Sequence, residues 1–561
     1  MPKILSIEDK LLKNLPAAEM AARMMALPAS QRLAILLERN DAAAVVKALP
    51  EPDFYYFIKE LDPESAVPLL AMSRSEQFTH LIDVDCWQVD ELKPAKTLAW
   101  CEAMIAADEG KFLLWLYKVD FEFLVILFKK WLDRIEIIED EEDYQEESDI
   151  LPRLTVDNQY YFSTRYPTHE AMLKYILSYL FENHHGFYVA LLQHTRTGLE
   201  SDINELAYRF HRGRLADHAI PDAEEAATIY QSLPSQKITR DKTILPLSNE
   251  DGAAPTFALA VIRHRDLLGA ALSHITDPAS QATLRLELAT LANKVLVADM
   301  MDPDDPETLR RAADRASAMV NLGLNLFSGD DAKAAAETLQ KVYLENIFRY
   351  GYTESANLTN RLNTIIDSDI ATQWPEGMNL LDEPWLENID LLCAKTPIIM
   401  RPQSDGPVEE DFIRSRADLE RIKDIVGIME ALPPLLKECK QQCQDEWEDL
   451  EKRLYSKGQI NSLADVTMGS MLLTGVANEI WTGSFEISPL PLSMWKEIAP
   501  MLAPDTVEKT MLARLDKMTE NTTQATVYMR PVLDRYHEAM AHRTELPDAR
   551  MMPFFLFTEA E

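Results

Sequence analysis

The chain has 561 residues, 47% of them hydrophobic and 26% charged, too many for one small core and enough for about three to four domains. Its formal charge is −36, from 92 acidic against 56 basic residues, a field that repels phosphate backbones and anionic membrane surfaces and argues against nucleic-acid binding. Gly is scarce at 16 residues, so few turns of positive φ are available and the composition, rich in Leu, Ala, Glu and Met, points to an all-α fold.

From the start of the chain, Met1 to Leu5 lead into Glu8 and Asp9 without the apolar core of a signal peptide. Five cysteines (Cys86, Cys101, Cys393, Cys439 and Cys443) are too few for a disulfide framework and fit a reducing, cytoplasmic compartment. Between Ala26 and His80 the chain alternates apolar runs with stops at Ala26-Leu27-Pro28, Ala48-Leu49-Pro50 and Leu61-Asp62-Pro63. Ser30, Asp41, Asp53, Asp62 and Ser75 are expected to cap the helices that follow, their side chains accepting from first-turn amides. Pro63 falls at the first helical position, where a missing amide costs nothing. Helices of two or three turns are not stable alone and must bury their apolar stripes against one another. The expectation is a stack of short helices with Leu27, Leu49, Phe54, Phe57, Leu61, Leu69 and Leu70 in its core.

The rhythm Ala48-Leu49-Pro50-Glu51-Pro52-Asp53 through Glu60-Leu61-Asp62-Pro63-Glu64-Ser65-Ala66 resembles two known modules. These are the superhelical cytosolic N-domain of MgtE-type magnesium transporters and the helical middle region of the flagellar motor-switch protein FliG. The resemblance, over residues 26–80, implies a packing pattern and no ligand set. Taken whole, the chain resembles a bacterial family of unknown function, through Arg212-Gly213-Arg214-Leu215-Ala216 with Pro221 to Ala226, through Leu291 to Leu296, and through Arg414 to Leu419. That resemblance implies no activity.

The most apolar stretch, Phe112 to Leu132, is interrupted by Lys118, Asp120, Glu122, Lys129 and Lys130. It falls short of the roughly 18 clean apolar residues of a spanning helix and reads as a buried helix pair split near Asp120-Phe121. Asp120-Phe121-x-x-Leu124 echoes Asp53-Phe54-x-x-Phe57, as another turn of the same stack would. The acidic run Glu139 to Asp149 repels itself and reads as an exposed linker. As an alternative it offers carboxylates to a hard cation, without the Gly-centred spacing of a calcium loop. Leu154 to Phe162, with Asp157-Asn158 between two β-prone runs, reads as a β-hairpin, the main island of strand.

Helical periodicity resumes after Pro167, with Thr168 as a candidate cap for a helix to about Phe181. Glu182 and His185 have the Glu-x-x-His step of di-iron helical bundles, but a second copy and two further carboxylates are missing. His184, His185, His194 and His211 are therefore expected in loops and on the surface. His211-Arg212-Gly213-Arg214 is the one basic cluster that stands out. It reads as a helix C-terminus stopped at Gly213, with an anion or carboxylate clamp as the alternative. A long helix over Gln281 to Ala298 runs into Asp302-Pro303-Asp304-Asp305-Pro306-Glu307, where Asp305-Pro306 reads as a cap and first-turn proline rather than as a metal site.

Leu291 to Leu296 and Val476 to Trp481 share a pattern that two similar subdomains would explain. Thr372 to Pro407 carries Trp374, Pro375, Pro384, Trp385, Pro397 and Pro402, with a turn at Ser404 to Pro407, and reads as a connection. Beyond it, Leu436, Cys439, Cys443, Trp447, Leu450 and Leu454, spaced by 3, 4, 4, 3 and 4, form one apolar stripe in which the cysteines pack as small hydrophobes. The expected organisation is a helical stack over 1–137, a linker and hairpin over 138–165, an α-domain over 166–370, the connection over 371–410 and an α-domain over 411–561.

No phosphate-binding Gly-rich loop, dinucleotide fingerprint, nucleophile elbow or H-E-x-x-H string is present in the sequence. No residue is therefore assigned a catalytic, cofactor-binding or metal role, and no cofactor is expected. The reading is a cytoplasmic, acidic helical scaffold that binds protein partners between stacked helices, without nucleic acid or membrane insertion. The alternative is a divalent-cation (Mg²⁺)-responsive regulator, from the transporter resemblance and the acidic surface. A metal-dependent helical-bundle enzyme through Glu182 and His185 stands third.

Overall fold

A computed structural model of the chain describes residues 15–88, 90–138, 151–244, 254–401, 408–443, 446–541 and 548–559. The described chain is all-α apart from small sheets of two or three short strands. It divides into two units, Met1–Tyr350 and Gly351–Glu561, with the division inside the helix Leu344–Thr364. The acidic run 139–149 and the turn 404–407 lie outside the described residues.

The first unit opens with helices α1 (Ala17–Met24), α2 (Ala29–Leu37), α3 (Ala42–Ala48), α4 (Glu51–Lys59), α5 (Pro63–Met72) and α6 (Ser75–Asp85). A two-residue β-pair follows, β1 (Trp87–Gln88) with β2 (Glu91–Leu92), and then α7 (Pro94–Ala107), α8 (Glu109–Lys118) and α9 (Phe121–Trp131). Leu49, Phe54, Phe57, Leu69 and Leu70 are fully buried in this stack. Leu27 and Leu61 are only half-buried because they follow the last turns of α1 and α4 and lie in the connections.

The caps differ from the expectation. Only Asp62 acts as proposed, its carboxylate accepting from the Ser65 amide at 3.0 Å, with Pro63 at the first position. Pro28 and Pro50 hold the cap positions of α2 and α4, and their fixed φ starts the helices two and three residues early, which moves Ser30 and Asp53 into the first turn. Arg74 stands at the cap of α6, so Ser75 is helical. Asp41 is at a cap, but its carboxylate takes the Arg39 guanidinium at 2.8 Å instead of an amide.

The apolar stretch splits into α8 and α9 at Val119-Asp120, as the sequence indicates. α9 buries Phe123 through Phe128 and Trp131 on all sides, which accounts for its membrane-like composition. Among the described residues no helix is long and apolar enough to cross a membrane.

The hairpin is present: β4 (Leu154–Thr155) pairs antiparallel with β5 (Tyr160–Thr164), Leu154 opposite Phe162. Asn158 takes φ 58° at its tip, and the Asp157 carboxylate accepts from the Gln159 and Tyr160 amides at 2.9 and 2.8 Å. The segment after α9 is not helical as expected. It forms β3 (Leu132–Ile137), antiparallel to the other edge of β5 in the order β3-β5-β4. A central strand must satisfy amides and carbonyls on both edges, and the nearest free chain supplies the second row.

Helices α10 (Glu170–Asn183), α11 (His185–Thr197) and α12 (Glu200–Asp217) follow. Thr168 lies in a 3₁₀ turn ahead of α10, its hydroxyl on His169 Nδ1 at 3.0 Å and not on a helix amide. The helices Pro278–Ala298 and Pro306–Ser328 pack together, each begun by an Asp cap and a proline. Asp277 accepts from the Ser280 amide at 2.8 Å and Asp305 from the Glu307 amide at 3.0 Å. At Gly323 a Cβ would stand 2.1 Å from the Ile347 carbonyl oxygen, so only glycine admits that backbone.

The second unit is built around the buried helix Met468–Thr482. Leu436, Cys439, Cys443, Trp447, Leu450 and Leu454 are all buried, but on two helices, Leu432–Gln442 and Trp447–Arg453, with Cys443 at the break. Asp382 is buried at the start of the central helix and accepts from Thr467 Oγ1 at 2.6 Å, the Gly469 amide at 2.7 Å and Tyr528 OH at 3.0 Å. It fills a helix N-terminus with a carboxylate of the same chain.

Candidate functional site

The densest buried polar arrangement in the first unit gathers on α6. Phe78, Leu81 and Ile82 hold this helix in the core, and Gln77, His80, Asp83 and Asp85 are buried beside them. Gln77 fastens α6 to α3: its amide donates to the Val46 and Leu49 carbonyls at 2.8 and 2.9 Å while its oxygen accepts from the Arg74 amide at 2.8 Å.

Asp83 faces α12. Arg214 grips its carboxylate bidentately, Nε and Nη2 each at 2.7 Å, and turns Nη1 to Asp120 ahead of α9. Burial pushes the Asp83 carboxyl up to about 6, against the pull of Arg214. His211 Nε2–H donates to the Asp83 carbonyl at 2.8 Å, and its ring stacks on Trp87 with centroids 4.5 Å apart. Burial lowers its pKa to about 4. His80 meets His218 at 4.4 Å; burial and then the neighbouring imidazole hold it well below the ordinary histidine value, so it stays neutral.

Asp85 points the other way. It accepts from Lys59 at 2.8 Å and from Trp100 Nε1 at 2.6 Å, with Lys96 at 3.1 Å. Lys96 also pairs with Asp304, and Tyr55 OH donates to the Pro303 carbonyl at 2.9 Å. Burial works against the charge of Asp85, but Lys59 and its hydrogen bonds hold it below the usual carboxylate range. Beside this seam, Asp53 of α4 is wholly buried and accepts from the Thr256 amide at 2.9 Å, Thr256 Oγ1 at 2.8 Å and the Phe257 amide at 2.8 Å. Tyr56 stacks on Phe257 at 3.9 Å. Desolvation raises Asp53 to about 6.

Asp83 and Asp85 are answered by cations of the same chain, so the seam fastens helices and presents no free acid–base pair. Desolvation disfavours the thiolate at the buried Cys86, Cys101 and Cys439 and raises the half-buried Cys393 to about 11.

The cluster 211–214 departs from the expectation. α12 runs through Gly213 to Asp217 instead of stopping there. His211 is buried, not on the surface. Arg214 realises the carboxylate clamp, with the carboxylate supplied by α6. Glu182 lies in the last turn of α10 and His185 opens α11, the break falling at His184, so the two do not share one helical face, and both are exposed. Among the described residues no group of three or more His, Cys, Asp or Glu is placed to hold a metal ion. Asp305 caps as expected, whereas its neighbour Asp304 joins the Lys59–Lys96 group. The sequence reading did not single out Asp83, Asp85, Lys59 or Lys96. Their signal was a pair of aspartates in the apolar run Leu81-Ile82-Asp83-Val84-Asp85, where a helix face that must be buried carries charge.

A different feature lies on the outside. Leu114 is 50% exposed and Tyr117 51% exposed on α8. Tyr117 stacks on His184 at 4.5 Å and meets Phe187 at 5.8 Å; Phe121 meets Phe187 and His194, each at 5.5 Å. The rings join α8, α9 and α11 into one aromatic face.

The model of a family described as a family of unknown function (DUF6178) matches residues 9–558. No curated protein and no solved structure matches the chain, so neither comparison adds to the likeness of residues 26–80 to the transporter and motor-switch modules.

Proposed function

We infer the function of a chain that belongs to this family of unknown function from its surfaces: it is an acidic, cytoplasmic helical protein that binds protein partners. The aromatic face around Tyr117 carries this reading. Aromatic rings are enriched at the cores of protein interfaces, where a large rigid side chain is desolvated at little entropic cost. Here five rings are packed against one another while Leu114 and Tyr117 remain half open to solvent. The interior supports the same role, since its charges are spent on holding the helices in place.

The test is a pull-down with the tagged full-length protein from its native cytosol, at low and moderate salt, beside a Tyr117→Glu variant. A stoichiometric partner that survives moderate salt and is lost from the variant is expected, because truncating an interface anchor typically costs about 2 kcal/mol or more. A partner retained equally by both proteins, or none retained by either, refutes the reading.

A further inference from the structure

α12 turns His211 and Arg214 inward, yet it leaves an apolar stripe outside. Leu199 at its N-cap is 68% exposed, Leu206 42% and Phe210 46%, with Ile203 half-buried between them. The spacing 199, 203, 206, 210 alternates four and three, the a/d seam of a coiled coil. It continues to Gly213, whose missing side chain leaves open space. Along the solvent edge of this seam lie Asp202 and Arg209, one heptad apart and both exposed. Neither makes an ion pair among the described residues.

We propose that this face pairs with a second copy of the same chain, α12 against α12 antiparallel about a twofold axis. An isologous interface demands a surface complementary to itself, and the charge order along α12 meets that demand. In an antiparallel pair the a and d layers face each other, and the positions just before each a residue meet their own kind across the seam. The register that sets Ile203 against Leu206 of the other copy also sets Leu199 against Phe210. That same register brings Asp202 opposite Arg209, twice by symmetry. A parallel pair would put the two copies of this edge on opposite flanks of the seam, Asp202 toward Ala207 and Arg209 toward Arg214 of the other helix, and would form no Asp202–Arg209 pair. The seam is about three turns long, so its area lies at the small end of specific interfaces and the dimer dissociates in the micromolar range. The proposal concerns a face other than the one around Tyr117 and stands apart from the functional reading.

Sedimentation velocity of the full chain across the micromolar range tests it. A monomer–dimer equilibrium is expected, weakened about tenfold or more by Arg209→Asp or by Asp202→Arg, since each brings like charges together. The double exchange Asp202→Arg with Arg209→Asp restores it, and Phe210→Ser abolishes it while the circular dichroism of the folded chain is unchanged, because nearly half of the ring lies outside the fold. A monomer at every concentration overturns the proposal, as does a dimer indifferent to the charge variants or one that the double exchange fails to restore. Tyr117→Glu leaves the dimer intact. A monomer that still captures a partner through Tyr117 sinks only the pairing; a dimer without Tyr117-dependent capture sinks only the functional reading.

Discussion

Replacing Arg214 by Met tests whether the clamp on Asp83 is what joins α6 to α12. The substitution keeps an unbranched apolar stem and removes both 2.7 Å bonds to a carboxylate whose side chain is 2% exposed. With Arg214 in place the Asp83 pKa already stands at about 6 against 3.8 unfolded. A group raised in this way binds more protons folded than unfolded, so its contribution to stability is full below 3.8 and is lost as pH rises through 6. Without the guanidinium the pKa rises further and the carboxyl stays protonated to higher pH. At pH 8 the wild type holds the ionised form about two pH units above its pKa, which the variant forgoes at a cost of about 3 kcal/mol. At pH 5 both proteins are largely protonated at Asp83 and the deficit falls to about 1 kcal/mol or less. Hydrogen exchange corrected for intrinsic rates reads this locally: amides of 75–85 and 200–217 should exchange about 100-fold faster in the variant at pH 8, and within about fivefold of wild type at pH 5. Equal deficits at the two pH values, or none at pH 8, would refute the assignment of Arg214 to a buried carboxylate. The exposed pair Arg361–Glu430 supplies the control, and Arg361→Met should change stability by less than about 0.5 kcal/mol.

His211, depressed to about 4 from 6.5, stabilises the fold above pH 6.5 and loses that contribution as pH falls toward 4. His211→Gln, which keeps a donor for the Asp83 carbonyl, should therefore lose about 3 kcal/mol less than wild type between pH 7 and pH 4 in urea titrations, and parallel profiles would refute this. Asp53→Ala strands the buried Thr256 and Phe257 amides and should cost about 2–4 kcal/mol, seen as faster exchange over 256–260, with Asp53→Asn intermediate; unchanged protection there would count against it. Gly469→Ala would put a Cβ 2.6 Å from an Asp382 carboxylate oxygen. It should destabilise the second unit by about 2–3 kcal/mol in thermal melts, and an unchanged melt would mean that Asp382 is not fixed where it stands.

What the sequence by itself determined is what hydrogen bonds and sterics settle within four residues. Low glycine and apolar periodicity dictate helices, Asp62-Pro63 and Asp305-Pro306 begin two of them, Asp157-Asn158 turns the hairpin, and Val119-Asp120 parts α8 from α9. Even at this range a rigid Pro outranked a side-chain cap, because Pro28 and Pro50 set the backbone before Ser30 or Asp53 could accept an amide. The tertiary structure alone decided where charge goes. Asp83 finds Arg214 across 131 residues and Asp53 finds Thr256 across 203. A carboxylate four residues from its partner leaves a pattern along the chain, whereas one that meets its partner only after two distant helices have packed leaves none. For the same reason His211-Arg212-Gly213-Arg214 could be read as a helix end. A guanidinium at a helix terminus and one gripping a buried carboxylate have the same sequence, and they differ only in what the fold has carried to within 2.7 Å.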